Sequence, residues 1–98
     1  MGYKVVLTAQ ADRDLGEVVR FIAENSVEAA ERVGLEIIEV ARSLEAFPRR
    51  GAMVQARPGL RKLIHRYVLL VYRINEDARV VEILRIWDGR KDPKRFHA

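Results

Sequence analysis

The apolar positions of this chain keep one period before Pro48 and another after it. Tyr3 to Leu7 is a short run rich in β-formers. Thr8 then offers a side-chain oxygen where a helix can start, with Asp12 and Asp14 near the positive end of its dipole. Ala11, Leu15, Val18, Val19 and Ile22 recur at helical spacing, and Asn25-Ser26 supplies a stop followed by a new N-cap. Ala30, Val33, Ile37, Val40, Ala41 and Leu44 form the apolar face of a second helix, predicted from about Val27 to Leu44 and closed by Pro48. Two amphipathic helices separated by so short a break are expected to lie as an antiparallel hairpin.

Beyond Pro48 the pattern turns strand-like. Leu60 to His65, Tyr67 to Ile74 and Arg79 to Trp87 are rich in branched residues, and Asn75-Glu76-Asp77-Ala78 reads as the turn between the last two. In the last run Val81, Ile83 and Arg85 are expected on one face, with Val80, Glu82, Leu84 and Ile86 on the other. Apolar residues on both faces predict an interior strand. The order implies an α+β two-layer fold: an N-terminal strand, then a two-helix antiparallel hairpin packed on a three- to four-stranded antiparallel sheet. The 98 residues suit one domain with one core, and the polar stretch 88–98, which contains Pro93, is predicted to be a loop or frayed end.

Charge divides the same chain differently. Arg49 to Arg73 holds six arginines, one lysine and one histidine with no aspartate or glutamate, whereas Ala9 to Ala46 holds nine carboxylates against four arginines. Such a split predicts an anionic partner for the basic half, with solvated outer-face arginines on a sheet as the plainer explanation. Carboxylates such as Glu17, Glu24, Glu28, Glu31 and Glu39 are ordinary solvent-facing helix residues.

The residue inventory narrows the chemistry. With no cysteine, disulfides, thiolate metal sites and thiol nucleophiles are excluded, a pattern that fits a reducing cytoplasm. The N-terminal apolar run is too short for a signal sequence, and no stretch reaches the length needed to span a bilayer. Thr8, Ser26 and Ser43 fall at helix caps or on a helix surface, which argues against a serine triad. Two histidines, His65 and His97, are too few for a histidine-rich metal site, and Gly51 and Gly59 look like turn glycines rather than a phosphate loop, so neither metal nor cofactor is expected.

What remains is guanidinium, ammonium, imidazole and phenol chemistry, which can hold phosphates or cleave RNA without a metal. Arg61, Lys62, His65, Arg73 and Arg90 are candidates by type. Arg61 and Lys62 must point to opposite faces of their strand, so at most one joins a given site. His65 is equally a cross-strand surface residue, and Tyr72 in its apolar strand is a core residue before it is a functional one. Trp87, beside Asp88-Gly89, either caps the core or anchors a partner. Phe96 in the polar tail either folds back on the sheet or contacts a partner.

The hairpin ending in Phe47-Pro48, then Gly51, Leu60-Arg61-Lys62-Leu63, Val71-Tyr72-Arg73-Ile74 and the run Val81 to Asp92 together resemble the RelE/ParE toxin superfamily of type II toxin-antitoxin systems, over nearly the whole chain. The resemblance implies a compact α+β toxin of the plasmid-stabilisation type, neutralised by a cognate antitoxin in a hetero-oligomer. It implies one of two targets: RelE-like members cut messenger RNA on the ribosome, and ParE-like members poison DNA gyrase. Ribonuclease members keep an arginine three residues before the strand tyrosine, where Leu69 stands here. They keep another just after the last strand, matched by Arg90. Six residues on, many have a stacking tyrosine, where Phe96 stands, and some end in a catalytic histidine and tyrosine, a place Phe96-His97 partly fills.

Losing the strand arginine removes a group that stabilises transition-state charge, so the ParE-like reading is favoured, with DNA gyrase as target. The alternative is a ribosome-dependent, metal-independent endoribonuclease using Arg90 with Arg61, Lys62, His65 or His97. A further alternative is an inactive remnant that only binds antitoxin. For contacts with a target or antitoxin the expected residues are Arg49, Arg50, Arg57, Arg61, Arg66, Arg73, Trp87, Arg90 and Phe96.

Overall fold

The computed structural model of the protein describes residues 2–91. Strand β1 (Lys4–Leu7) leads into helices α1 (Ala9–Ala23) and α2 (Val27–Ser43), followed by β2 (Ala52–Met53), β3 (Arg61–His65), β4 (Val68–Asn75) and β5 (Val80–Asp88). Both helices start where their caps place them: Thr8 Oγ1 accepts from the Ala11 N–H at 3.1 Å, and Ser26 Oγ from the Ala29 N–H at 3.1 Å. Each such cap typically contributes about 1 kcal/mol. The second helix stops at Ser43 with Leu44 as its C-cap, so it ends before Pro48 forces the issue.

The five strands form one sheet in the order β1-β5-β4-β3-β2. The expected three to four antiparallel strands are therefore corrected to five in a mixed sheet. The two-residue β2 pairs antiparallel with β3, and β1 pairs parallel with β5, Val5 opposite Val81. The hairpin of helices carries the chain away from β1, and only the last strand returns beside it. Periodicity reveals that Lys4–Leu7 is extended but carries no information about a partner so distant along the chain.

Helical residues Ala11, Val18, Ile22, Ala30, Val33, Ile37, Ala41 and the cap Leu44 pack on Val68, Leu70, Tyr72, Val81, Ile83 and Ile86 of the sheet. Each large side chain taken fully out of water here contributes roughly 1.5–3 kcal/mol of transfer free energy. The alternation expected for the last strand holds only to its middle. Tyr72 pairs with Ile83 and Val71 with Arg85, leaving Leu84 as an extra residue. That bulge reverses the parity of β5, so Ile86 and Asp88 turn toward the helices while Arg85 turns away. Asp88, expected to open the polar tail, is instead the last strand residue and is buried.

Since β1 stops at Leu7 while β5 runs on to Asp88, half of β5 has no strand on its outer side. Side chains take over there. Thr8 donates from its N–H to Ile83 O at 3.0 Å and from its hydroxyl to Leu84 O at 3.2 Å. The Asp14 carboxylate accepts from the Ile86 N–H at 3.0 Å and from Arg85 Nε at 2.7 Å, with Gln10 Nε2 at 2.9 Å on its other oxygen. Burial opposes the charge of this 3% exposed residue, but Arg85, the Ile86 N–H and Gln10 outweigh it and hold the carboxyl below its ordinary 3.8.

Removing that carboxylate leaves a strand N–H and a half-exposed guanidinium without their acceptor. Asp14→Ala is expected to lower unfolding stability by about 3 kcal/mol, read from urea denaturation at neutral pH. Because the folded-state pKa lies below 3.8, this stabilisation is complete above that value and lost as pH falls through the folded-state value. The gap between wild type and Asp14→Ala therefore closes on acidification.

Candidate functional site

Strands β3 and β4 carry the later part of the acid-free run, and their alternation sorts its residues by face. Arg61, Leu63 and His65 lie opposite Tyr72, Leu70 and Val68 on the helix side, while Lys62 and Ile64 lie opposite Val71 and Leu69 on the outer side. Arg61 and Lys62 thus diverge as expected. Arg61 points Nη1 at Gly51 O, 2.8 Å, and Arg49 O, 3.3 Å. Lys62 instead lines an outer-face concavity of about 590 Å³ with Arg57, Leu60, Leu69, Leu84 and Trp87. Leu69 is 1% exposed, so the position at which an arginine was expected in a nuclease is here an apolar, filled one.

At the far end of β3, His65 Nε2 lies 2.9 Å from Glu36 Oε1, and Arg66 reaches the same carboxylate through Nε at 2.7 Å and Nη2 at 3.1 Å. Arg66 adopts φ 56° in the two-residue turn between β3 and β4, a left-handed conformation uncommon outside glycine. Arg66 first and His65 second pull the Glu36 carboxyl down to about 2. This group clips helix α2 to the β3–β4 turn, and His65 belongs to it.

Arg90 is also engaged. Asp88, its side chain 1% exposed, accepts from the Arg90 backbone N–H at 2.9 Å and from guanidinium Nε at 3.2 Å and Nη2 at 2.9 Å. The guanidinium lies 3.5 Å from the centre of the Tyr67 ring and 5.9 Å from that of Phe21. The hydrogen bond to Asp88 raises the Arg90 pKa further. Tyr67 was not singled out from sequence for this role. A tyrosine at a strand start gives no sign of what stacks on it until the β5 bulge has turned Asp88 inward.

The basic run is less free than its composition implied. Arg49 pairs with Glu76, Arg66 with Glu36, and Arg73 Nε with Glu82 Oε1 at 2.8 Å across β4 and β5. All three carboxylates come from outside the run. Arg50 donates to Ser43 Oγ at 2.6 Å. Trp87 sits on the outer face opposite Leu69, with the Arg85 guanidinium 4.8 Å over its ring. Arg61, Lys62, His65 and Arg90 occupy four different surroundings: the loop after α2, the outer face, the Glu36 clip and the Tyr67 stack. Phe96 and His97 lie outside the described residues. Among the described residues no group of three or more histidine or carboxylate side chains is placed to hold a metal ion.

Tyr72 is a core residue with a second task. Its fully buried hydroxyl accepts from the Gly51 N–H at 2.9 Å and donates to Pro48 O at 2.7 Å. Burial raises its pKa, so it stays a neutral donor and acceptor. A Cβ on Gly51 would come within 2.6 Å of that hydroxyl and 2.8 Å of Lys62 O, so close backbone approach, rather than turn conformation, demands glycine there.

A family model described as the ParE toxin of the type II toxin-antitoxin system, parDE, matches residues 5–93. No curated protein is similar in sequence. Among solved structures, the toxin-antitoxin complex RelBE2 from Mycobacterium tuberculosis aligns with TM-score 0.72 at 26% identity, covering 90% of this chain and 99% of that one. A chromosomal ParDE system from P. aeruginosa aligns with TM-score 0.73 at 23% identity over 88% and 95% of the two chains. A mutant of E. coli toxin RelE in the free state gives 0.54 at 22% identity over 100% and 95%.

The Glu36 clip predicts a pH signature. With a folded-state pKa of about 2 against an ordinary 4.5, Glu36 stabilises the fold fully above 4.5 and ceases to do so as pH falls through about 2. Glu36→Gln is accordingly expected to melt below wild type at pH 7, with the difference in Tm shrinking between pH 4.5 and 2 in a thermal scan series.

Proposed function

We propose that this chain, which belongs to the ParE toxin family of type II toxin-antitoxin systems, arrests growth by binding DNA gyrase and is held inactive by a cognate antitoxin. The observation that carries the choice of target is that the described nuclease candidates Arg61, His65 and Arg90 are held by separate partners within the fold. General acid–base cleavage of RNA needs a base, an acid and a charge-stabilising group within a few ångströms of one phosphate. Here His65 is committed to Glu36, Arg90 to Asp88 and Tyr67, Arg61 to two loop carbonyls, and Leu69 fills the outer-face position. The outer face suits protein recognition better. Its concavity has an apolar floor of Leu69, Val71 and Leu84, an aromatic anchor in Trp87, and cations at Arg57 and Lys62.

A ribosome-dependent ribonuclease is the second reading, favoured by the 26% identity to a chain of a RelBE2 complex and by Arg90. One pair of assays separates the two. Purified protein is expected to inhibit supercoiling by gyrase at substoichiometric to equimolar ratio while leaving messenger RNA intact on programmed ribosomes. Cleaved message, abolished by Arg90→Ala, together with unimpaired supercoiling would replace the gyrase reading with the nuclease one.

A further inference from the structure

Helix α2 buries one apolar stripe and shows another to water. Ala30, Val33, Ile37 and Ala41 face the core, whereas Leu35 and Ile38 stand on the outward side at 66% and 44% exposure. Isolated exposed apolar residues are ordinary, but these two are neighbours on the helix surface and belong to a longer pattern. Glu31, Leu35, Ile38 and Arg42 follow one another at steps of four, three and four residues, the spacing that keeps side chains along a seam between two helices. The core does not need this second stripe, so its regularity calls for a partner helix.

Charge selects that partner and its direction. If α2 met a second α2 in parallel, Glu31 would face Glu31 and Arg42 would face Arg42. Antiparallel about a two-fold axis between Leu35 and Ile38, Glu31 of each copy meets Arg42 of the other, Leu35 meets Ile38, and on the flank Arg32 comes beside Glu39. Glu31, Arg32, Glu39 and Arg42 are all exposed and free to make these contacts. Within the chain Arg42 lies 3.6 Å from Glu39, between side chains 64% and 71% exposed, a weak surface pair that can be exchanged.

We propose that α2 is a self-association surface and pairs antiparallel with α2 of a second copy of this chain. A seam of about three helical turns falls below the roughly 1,200 Å² of durable complexes, so the pairing is reversible, with a dissociation constant on the order of 10 µM. Because the helices cover the other side of the sheet, both copies keep the concavity at Lys62, Leu69 and Trp87 open. The pairing does not depend on which target that face binds.

Sedimentation velocity on the full chain, from about 1 to 200 µM, is expected to show a monomer–dimer equilibrium. Leu35→Glu, which sets a carboxylate against Ile38 of the second copy, should abolish it. Glu31→Arg and Arg42→Glu should each weaken association by about tenfold or more, while the double variant E31R/R42E, with both pairs restored in reverse, should return to within about threefold of wild type. Lys62→Glu, on the outer face, should leave the equilibrium unchanged. Circular dichroism establishes that each variant is folded. A chain that stays monomeric throughout that range, a dimer that survives in folded Leu35→Glu, or a folded double variant that associates no better than the single ones overturns the proposal.

Discussion

A carboxylate standing in for a strand is the constraint on which this fold turns. Strand β5 lies between β1 and β4 and is covered by α1, but β1 accompanies only its first half. Asp14 closes the second half by taking the Ile86 N–H and the Arg85 guanidinium together, which fixes α1 at one height along the strand. Once α1 is fixed, Phe21 reaches the neighbourhood of Tyr67 and Arg90, and the helical hairpin positions Glu36 over the β3–β4 turn. A hydrophobic face alone would tolerate sliding, since burial is not directional. The directional Asp14 bonds remove that freedom.

Much of this was legible in the sequence, and the boundary follows a physical line. Helix starts at Thr8 and Ser26, the apolar faces of both helices, the turn at Asn75 and the interior character of β5 are local properties, written in spacing and composition. The parallel pairing of β1 with β5 is not local and leaves no mark on either segment. The bulge at Leu84 escaped because Val80 to Ile86 is apolar on both faces, so either parity satisfied the pattern. Asp14 escaped for a subtler reason: an aspartate near the start of a helix already has an ordinary dipole explanation, and nothing prompts a search for another.

The charge pattern shows a related limit. An acid-free run looks like an unpartnered cationic surface only if pairing is sought along the chain. In the folded molecule Glu36, Glu76 and Glu82 come from α2, the β4–β5 turn and β5 to meet arginines of the run. Linear segregation of charge thus became spatial mixing, and it is geometry that leaves Arg50, among the described residues, with the Ser43 hydroxyl in place of a carboxylate. The candidate chemistry followed the same course. Residues suited by type to acid–base work are present, but among the described ones Arg61, His65, Arg73 and Arg90 are each engaged by a contact within the fold, while Lys62 stands on the outer face.

The parallel splice between the first and last strands also bears on how the chain is made. Residues 4–7 cannot enter the sheet until residues 80–83 exist, and α1 has no strand to lock against until Arg85 and Ile86 have been synthesised. On an elongating ribosome the helices can form early, but the sheet that orders every surface discussed above waits for nearly the whole chain. A toxin built this way acquires its complete sheet only when nearly the whole chain is made, and a prematurely terminated product lacking β5 has neither the partner of β1 nor the strand to which Asp14 anchors α1.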